Sequence, residues 1–469
     1  MYHSMNINVK NGPIFDWCDE LAHKANNLYN AALFRERQVM TSRKKTDAQL
    51  TDNEKEVLRE IEVMNERLLS RNKKPRKISR TGYLSYEFLD DLMKLNENPD
   101  YICDTLPAHV AQHVLKHAAG DIRSFFGAMK QYKQDPSLFT GKPELPHYKH
   151  KQGICSFDIS NQECVIRQNG KGHYVAKLPK TKCIVSLGKQ VPGILKEVHV
   201  APINGQYQIS FVFDDGEELP AHITEQPERI ASVDFGISNF MAVTNNCGLG
   251  CLLYKGGVIK SANHRYNQKI AAIMSRQTKG GTEKFKPTEE YYAVTQRRNN
   301  VIKDYMLQTG KHFITWCVEN RIDTIVLGDN QFWKQNIRMG VVNNQNFVQI
   351  PFDQMKKILT YQAERRGIRL IRQEESYTSK ANFLGQDDIP VYGGNDEDVR
   401  FTGTRIHRGL YKTNAGTLLN ADINGSANIL RKCISDAFRS HELAYNQITV
   451  VRHPMYEAVK ENRNRQISK

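Results

Sequence analysis

The run Ile230-Ala231-Ser232-Val233-Asp234, continuing directly into Phe235-Gly236-Ile237-Ser238-Asn239-Phe240-Met241-Ala242-Val243-Thr244, decides how the 469-residue chain folds. A short apolar run ends on a carboxylate, a glycine permits a tight turn, and a second apolar run follows. That is the pattern of a β-hairpin opening a mixed sheet. A second acid stands far downstream in Asn420-Ala421-Asp422-Ile423-Asn424-Gly425-Ser426-Ala427-Asn428-Ile429, where a helical pattern begins just after a polar cluster. Taken singly, Asp234 reads as a turn residue and Asp422 as a helix N-cap. Taken together, one carboxylate on a central strand and one at a helix start are a pair able to hold divalent ions for hydrolysis.

Downstream of the hairpin, Cys251-Leu252-Leu253-Tyr254 supplies a third strand, and helices are predicted over residues 263–279 and 289–320. The second carries Arg297, Arg298, Lys303 and Lys311 on its polar side, with Val301, Tyr305, Phe313 and Trp316 opposite. A buried strand at 324–327, a polar loop containing Asp329, Phe332, Trp333 and Lys334, a helix running to Arg366 and a strand at 368–373 complete the pattern. Three strands, helix, strand, helix, strand, helix is the order of an RNase H-like domain on a five-stranded mixed sheet.

Upstream, residues 5–9 alternate like an edge strand, and 14–40 turn helical with Leu21, Ala25, Leu28 and Ala32 on one face. Residues 44–80 are highly charged around a thin apolar stripe, and a helix pair is predicted over 84–95 and 106–132. Short alternating runs between 154 and 213 predict a small β-barrel, with the helical block inserted after its first strand. The expected fold class is therefore α+β multidomain. A barrel takes residues 1–13 and 135–228, an inserted helical lobe 14–134, an RNase H-like α/β domain 229–380 and 420–440, an insert 381–419, and a C-terminal tail 441–469.

Lys and Arg total 66 against 51 Asp and Glu, a formal net charge of +15, so a polyanion is the expected partner. Nine cysteines, an odd number with no secretory leader pattern, point to reduced thiols and a cytoplasmic protein. Only Cys247 and Cys251 lie close together, which predicts no closed zinc site. No apolar run approaches the length of a membrane span.

Asn343-Asn344-Gln345-Asn346-Phe347-Val348-Gln349-Ile350-Pro351, Glu375-Ser376-Tyr377-Thr378-Ser379-Lys380 and the Asn420 to Ile429 stretch resemble the RuvC segments of the transposon-encoded TnpB proteins and the related miniature type V CRISPR effectors. Val233-Asp234-Phe235-Gly236 and the early Asn27-Leu28-Tyr29-Asn30 extend the likeness over nearly the whole chain. The resemblance implies an RNA-guided endonuclease acting on double-stranded DNA, with a wedge-like barrel, a helical recognition lobe, a RuvC domain and a target-strand-binding insert. It implies a guide RNA, Mg²⁺ or Mn²⁺, a short flanking DNA motif, one or two protein copies per RNA, and a nucleoid-associated prokaryotic protein.

The sequence departs from that pattern twice. Gly328 stands where the family's fourth strand ordinarily ends in glutamate, and residues 381–419 contain no cysteine, so no zinc is expected there. Adjacent strands lie about 4.8 Å apart, so Glu375, ending the fifth strand, can reach across a residue without a side chain. The expected metal-binding and catalytic set is Asp234, Glu375 and Asp422, with Glu374 and Asp329 as alternatives. Arg297, Arg298, Lys334, Lys380, Arg405 and Arg408 are candidates for contact with nucleic acid. The alternatives in function are a nuclease-inactive RNA-guided repressor, if loss of the glutamate is loss of activity, and a guide-independent resolvase or transposase.

Overall fold

A computed structural model of the chain describes residues 1–278, 284–329, 349–391, 399–407 and 409–455. The chain divides into two compact units, Met1–Glu217 and Glu218–Lys469.

The first unit begins with strand β1 (Tyr2–Val9), followed by helices α1 (Pro13–Ser42), α2 (Asp52–Ser70), α3 (Tyr86–Leu95) and α4 (Ala108–Gln134). Local chemistry starts the first three helices. Pro13 opens α1, whose first amides need no partner within the helix. Thr51 and Glu54 form a reciprocal capping box on α2, and the Ser85 hydroxyl accepts from the Phe88 amide on α3. Strands β2 (Phe157–Ser160), β3 (Val165–Gln168), β4 (Tyr174–Lys177), β5 (Ile184–Gly188), β6 (Ile194–Ile203) and β7 (Gln206–Asp214) follow. One apolar core joins Leu21, Ala25 and Leu28 of α1, Val114 and Leu115 of α4, and Phe157, Ile159, Val198, Val200 and Phe211 of the strands.

Where the sequence predicts a barrel, the strands form two sheets, a four-stranded one ordered β1-β7-β6-β2 and a three-stranded one ordered β3-β4-β5. The β2–β6 ladder spans four residue pairs and ends at Ser160↔Glu197, where the chain turns away. β5 escaped prediction because Ile184 is apolar yet exposed, so its five residues do not alternate apolar with polar as their burial does.

In the second unit, strands β8 (Ile230–Phe235), β9 (Asn239–Asn245) and β10 (Gly250–Lys255) precede helices α5 (Gly257–Gln277) and α6 (Glu289–Glu319). Strand β11 (Thr324–Gly328), helix α7 (Phe352–Glu364) and strand β12 (Arg369–Gln373) follow. Three short strands come next, β13 (Thr404–His407), β14 (Leu410–Lys412) and β15 (Leu418–Asn420), then helix α8 (Ala421–Cys433) and strand β16 (Ala444–Val451). The main sheet is ordered β12-β11-β8-β9-β10-β16. β8, β9 and β10 run antiparallel in succession, while β11 and β12 run parallel to β8 and β16 parallel to β10. The stretch predicted as a tail thus adds a sixth strand, concealed in the sequence by the polar Asn446-Gln447 inside it.

Helices cover both faces, so the central strands are apolar on both sides. Ala231, Val233, Ile325 and Leu327 pack toward α5, α6 and α7, whereas Ile230, Val326 and Ala242 pack toward α8. This alternation sorts the acids at the strand ends. Residues in phase with Ile230 and Val326 look toward α8; their neighbours look away.

Candidate active site

Asp234 is a ladder residue, paired with Ala242 and followed by the Phe235↔Met241 pair, so the turn comes after it. It is in phase with Ile230 and Ser232 and points toward α8. A Cβ added to Gly425 of that helix would lie 2.8 Å from Asp234 Oδ2, so only a glycine lets the helix pass so close.

Asp422 occupies the first turn of α8 without capping it. The cap is Asn420, whose Oδ1 accepts from the amides of Asp422 (3.0 Å) and Ile423 (3.2 Å). Asp422 is thereby released to bond elsewhere. Its Oδ2 accepts from Asn239 Nδ2 at 2.7 Å, and Lys255 Nζ donates to Asn239 Oδ1 at 2.8 Å, which fixes the amide orientation. Its Oδ1 meets the Arg405 guanidinium at 3.3 Å.

Glu375 lies two residues past β12, which runs parallel to β11 with Gln373 opposite Gly328. A Cβ built on Gly328 would fall 2.1 Å from Glu375 Oε2 and 2.8 Å from Ile429 Cδ1. The glutamate carboxylate therefore fills the space that a side chain at the end of β11 would need. Burial first, and then the charges of Glu375 and Asp422, push the Asp234 carboxyl well above its usual range. Glu375 is raised as well, mainly by burial, against a lowering from Lys356. Two acids that resist ionisation beside a third mark a place where positive charge would be stabilised.

The two alternative acids are tied elsewhere. Asp329 lies beyond the end of β11 on the α7 side, 2.5 Å from Lys356 Nζ and 3.6 Å from Arg372. Glu374 accepts from Lys432 Nζ at 2.5 Å and from the Ser376 amide at 2.6 Å; burial would raise it, but these bonds hold it below its ordinary range.

Helix α8 is fastened by the rest of its polar residues. Ser426 Oγ donates to Ser232 O at 3.0 Å, and Ser232 Oγ returns a bond of 2.7 Å to Ser426 O, with Thr244 completing a buried hydroxyl cluster. Asn424 Nδ2 donates to Ala381 O, and Asn428 Nδ2 donates to Thr378 O and Ala381 O, which clamps the chain leaving Glu375.

Two parts of the chain match known family models. Residues 212–333 match one described as "Probable transposase", and residues 352–429 one described as "Cas12f1-like, TNB domain". The chain is similar to TnpB and carries a Cas12f1-like TNB segment. A curated relative, TnpB-like protein ORF457 of Acidianus two-tailed virus, is 24% identical over 213 residues, covering 44% of this chain and 42% of that protein. The chain thus spans less than half the length of that relative. Among solved structures, a Cas12f1–sgRNA–target DNA complex aligns at 12% identity and a TM-score of 0.42, covering 92% of this chain and 98% of that one. The mini-RNA-guided endonuclease CRISPR-Cas_phi3 aligns at 9% identity and 0.39, covering 92% of each.

The TNB segment contains both Glu375 and Asp422, and within it Arg405 is the basic candidate that meets an acid of the trio. Lys380 is exposed, with its ammonium over the Tyr377 ring. Lys334, Arg408 and the stretch from Asn343 to Val348 lie outside the described residues. In the segment matched as transposase, Arg297 is exposed and lines a cleft of about 240 Å³ with Arg265, Tyr266 and Lys269. Arg298 lines the same cleft, but its guanidinium donates to Asn263, Asn299 and the Gln349 carbonyl, bracing α5 against α6. Sequence reasoning missed Asn239, the residue that orients Asp422. The signal for it is an amide three residues past the hairpin glycine, directly before the apolar run Phe240-Met241-Ala242-Val243.

Proposed function

We propose that the chain is an RNA-guided DNA endonuclease whose RuvC-type, RNase H-like domain hydrolyses phosphodiesters with Asp234, Glu375 and Asp422. The observation that carries this reading is the Glu375 carboxylate standing over Gly328, beside Asp234 and opposite the α8 acid. It supplies a third acid where the strand itself offers none.

The donor set suits hard divalent cations. Three carboxylates from β8, the end of β12 and the start of α8 provide only oxygen ligands, as Mg²⁺ and Mn²⁺ prefer. Three acids on separate elements are the kind of set that can flank and bridge two ions roughly 4 Å apart. Such ions, when bound, activate water and stabilise the leaving oxygen of the phosphodiester. The chain's own residues prepare the place. Asn239, held by Lys255, orients Asp422; Gly425 admits the Asp234 carboxylate; the Ser232–Ser426–Thr244 cluster locks the helix bearing one acid to the strand bearing another. Arg405 stands at the rim, where it can bind a phosphate and orient the strand for attack.

The guide RNA would supply sequence choice by base pairing, leaving the protein to read a short flanking duplex motif. The relatives named above include a complex with guide RNA and target DNA and a protein described as an RNA-guided endonuclease, and the formal charge of +15 suits such partners. No helix among the described residues is long and apolar enough to cross a membrane. The test is to purify the protein with its copurifying RNA, sequence that RNA, and assay cleavage of matching duplex DNA with Mg²⁺ and with chelator. RNA-dependent, metal-dependent cutting supports the proposal. Binding without cutting under saturating Mg²⁺ and Mn²⁺ would instead make the protein a guided repressor, and cutting without RNA a stand-alone resolvase.

A further inference from the structure

The first unit carries a separate group of metal-type donors. On α4, His109, His113 and His117 recur every four residues, so their imidazoles share one face of the helix. β2 and β6 present the opposing polar face. In their antiparallel ladder Asp158 pairs with His199 and Ser160 with Glu197, while Phe157, Ile159, Val198 and Val200 alternate into the core. Strand parity thus places Asp158, Ser160, Glu197 and His199 together.

The result is a mixed nitrogen and oxygen cluster. His113, Asp158 and Glu197 each offer a ligand atom, and these atoms all lie within 4.8 Å of one another. Asp158 is 7% exposed. His117 Nε2 lies 2.7 Å from Asp158 Oδ2, and His199 Nδ1 bonds Asp158 Oδ1. A carboxylate oxygen has two lone pairs, so each can take an imidazole N–H and still face a cation. His109 takes no part, since its Nδ1 bonds Ser160 Oγ at 3.1 Å.

We propose that His113, Asp158 and Glu197 bind one first-row divalent transition ion, with His117 and His199 orienting the Asp158 carboxylate from behind. One imidazole and two carboxylates are a ligand set for Zn²⁺ or its neighbours in the series, with a fourth position left to water. Imidazoles that bond a ligating carboxylate fix its direction, so that it meets the ion already oriented. The three ligands come from a helix and two strands distant in sequence, so the ion clips α4, within the segment between β1 and β2, onto the sheet. The expectation of no zinc rested on missing thiolates; this site uses none.

The test uses the full chain carrying Asp234→Asn and Asp422→Asn, so that the nuclease acids do not contribute, stripped of RNA and of metal by a chelator. Co²⁺ serves as the optical probe and Zn²⁺ as the ion counted by elemental analysis. The expected result is about one ion per chain, a visible Co²⁺ band and a raised melting temperature in the presence of Zn²⁺. His113→Ala and Glu197→Gln should each lose the band and weaken binding roughly tenfold or more, whereas His109→Ala should keep both. Glu197 is half-buried on a strand, so its conservative variant carries the test if His113→Ala does not fold. No Co²⁺ band and no retained zinc, or retention undiminished in Glu197→Gln, would overturn the assignment.

Discussion

Gly328 and Glu375 form a complementary pair: the residue without a side chain makes room for the carboxylate that stands above it. If that carboxylate is a cation ligand, Glu375→Gln should reduce cleavage on the order of a hundredfold or more, as severely as Asp234→Asn, with RNA and target binding intact. Glu374→Gln and Asp329→Asn should leave cleavage largely unchanged, because those acids serve Lys432 and Lys356. Cleavage rates under saturating Mg²⁺ decide this, and full activity in Glu375→Gln would end the assignment. The same geometry makes the glycine testable. Gly328→Ala sets a methyl 2.1 Å from Glu375 Oε2, so it should impair cutting while the protein still folds and binds RNA. Gly328→Glu combined with Glu375→Gly should recover part of the activity lost in Glu375→Gly alone, since it returns the acid to β11. Gly425→Ala makes the parallel case from α8, where a methyl 2.8 Å from Asp234 Oδ2 should displace that carboxylate and weaken metal-dependent cutting.

At the scale of elements, α8 shows why a polar helix can be buried: nearly every polar side chain on it has a defined partner. Asn428→Ala would take that donor from Thr378 O, while Ala381 O keeps Asn424 Nδ2; the cost should be about 1–3 kcal/mol, and denaturant titration of the full chain should register it. The acids on β8 and α8 were legible in the sequence because a strand's alternation and a helix's start are local patterns. The glutamate was legible only through a resemblance, combined with the knowledge that β11 and β12 would be neighbours. The bond from Asn239 to Asp422 and those among Ser232, Ser426 and Thr244 were not legible, because they join residues up to 194 positions apart and depend on helix placement. The sixth strand and the two-sheet arrangement were lost for a related reason: short, half-exposed strands carry a weak period-two signal. Helix α1 supplies a pH prediction of its own. Glu36 is buried on it, accepts the Leu84 amide, and is pushed by burial up to about 8. A buried carboxyl held protonated stabilises the fold fully below the unfolded value near 4.5, and that stability is lost as pH rises toward 8. Within that window its contribution should fall by up to about 1.4 kcal/mol per pH unit, and Glu36→Gln should flatten the slope. An unchanged pH dependence of the melting temperature in Glu36→Gln would show that the group ionises freely.

For the whole molecule, the excess of 66 basic over 51 acidic residues supplies a long-range attraction for a polyanion, but only particular side chains can convert it into contacts. Some of the basic charge is committed internally. Arg298 braces two helices, Lys356 holds Asp329, and Lys432 holds Glu374 and the Ser376 and Pro390 carbonyls. Arg265, Lys269 and Arg297 line, together with Arg298, the cleft between α5 and α6 beside Tyr266, an arrangement in which phosphates and an exposed base could both be held. Guide binding should therefore weaken steeply with salt, because each neutralised phosphate releases condensed counterions. A triple change of Arg265, Lys269 and Arg297 to Ala removes three such contacts. The slope of log affinity against log salt should become shallower by roughly two to three, at about 0.7–0.9 per phosphate lost. Filter binding of the copurified RNA across a salt series measures both slopes. An unaltered slope and affinity in the triple variant would remove this cleft from the RNA-binding surface, and a protein that elutes free of RNA at low salt and cuts DNA equally well would remove the guide itself.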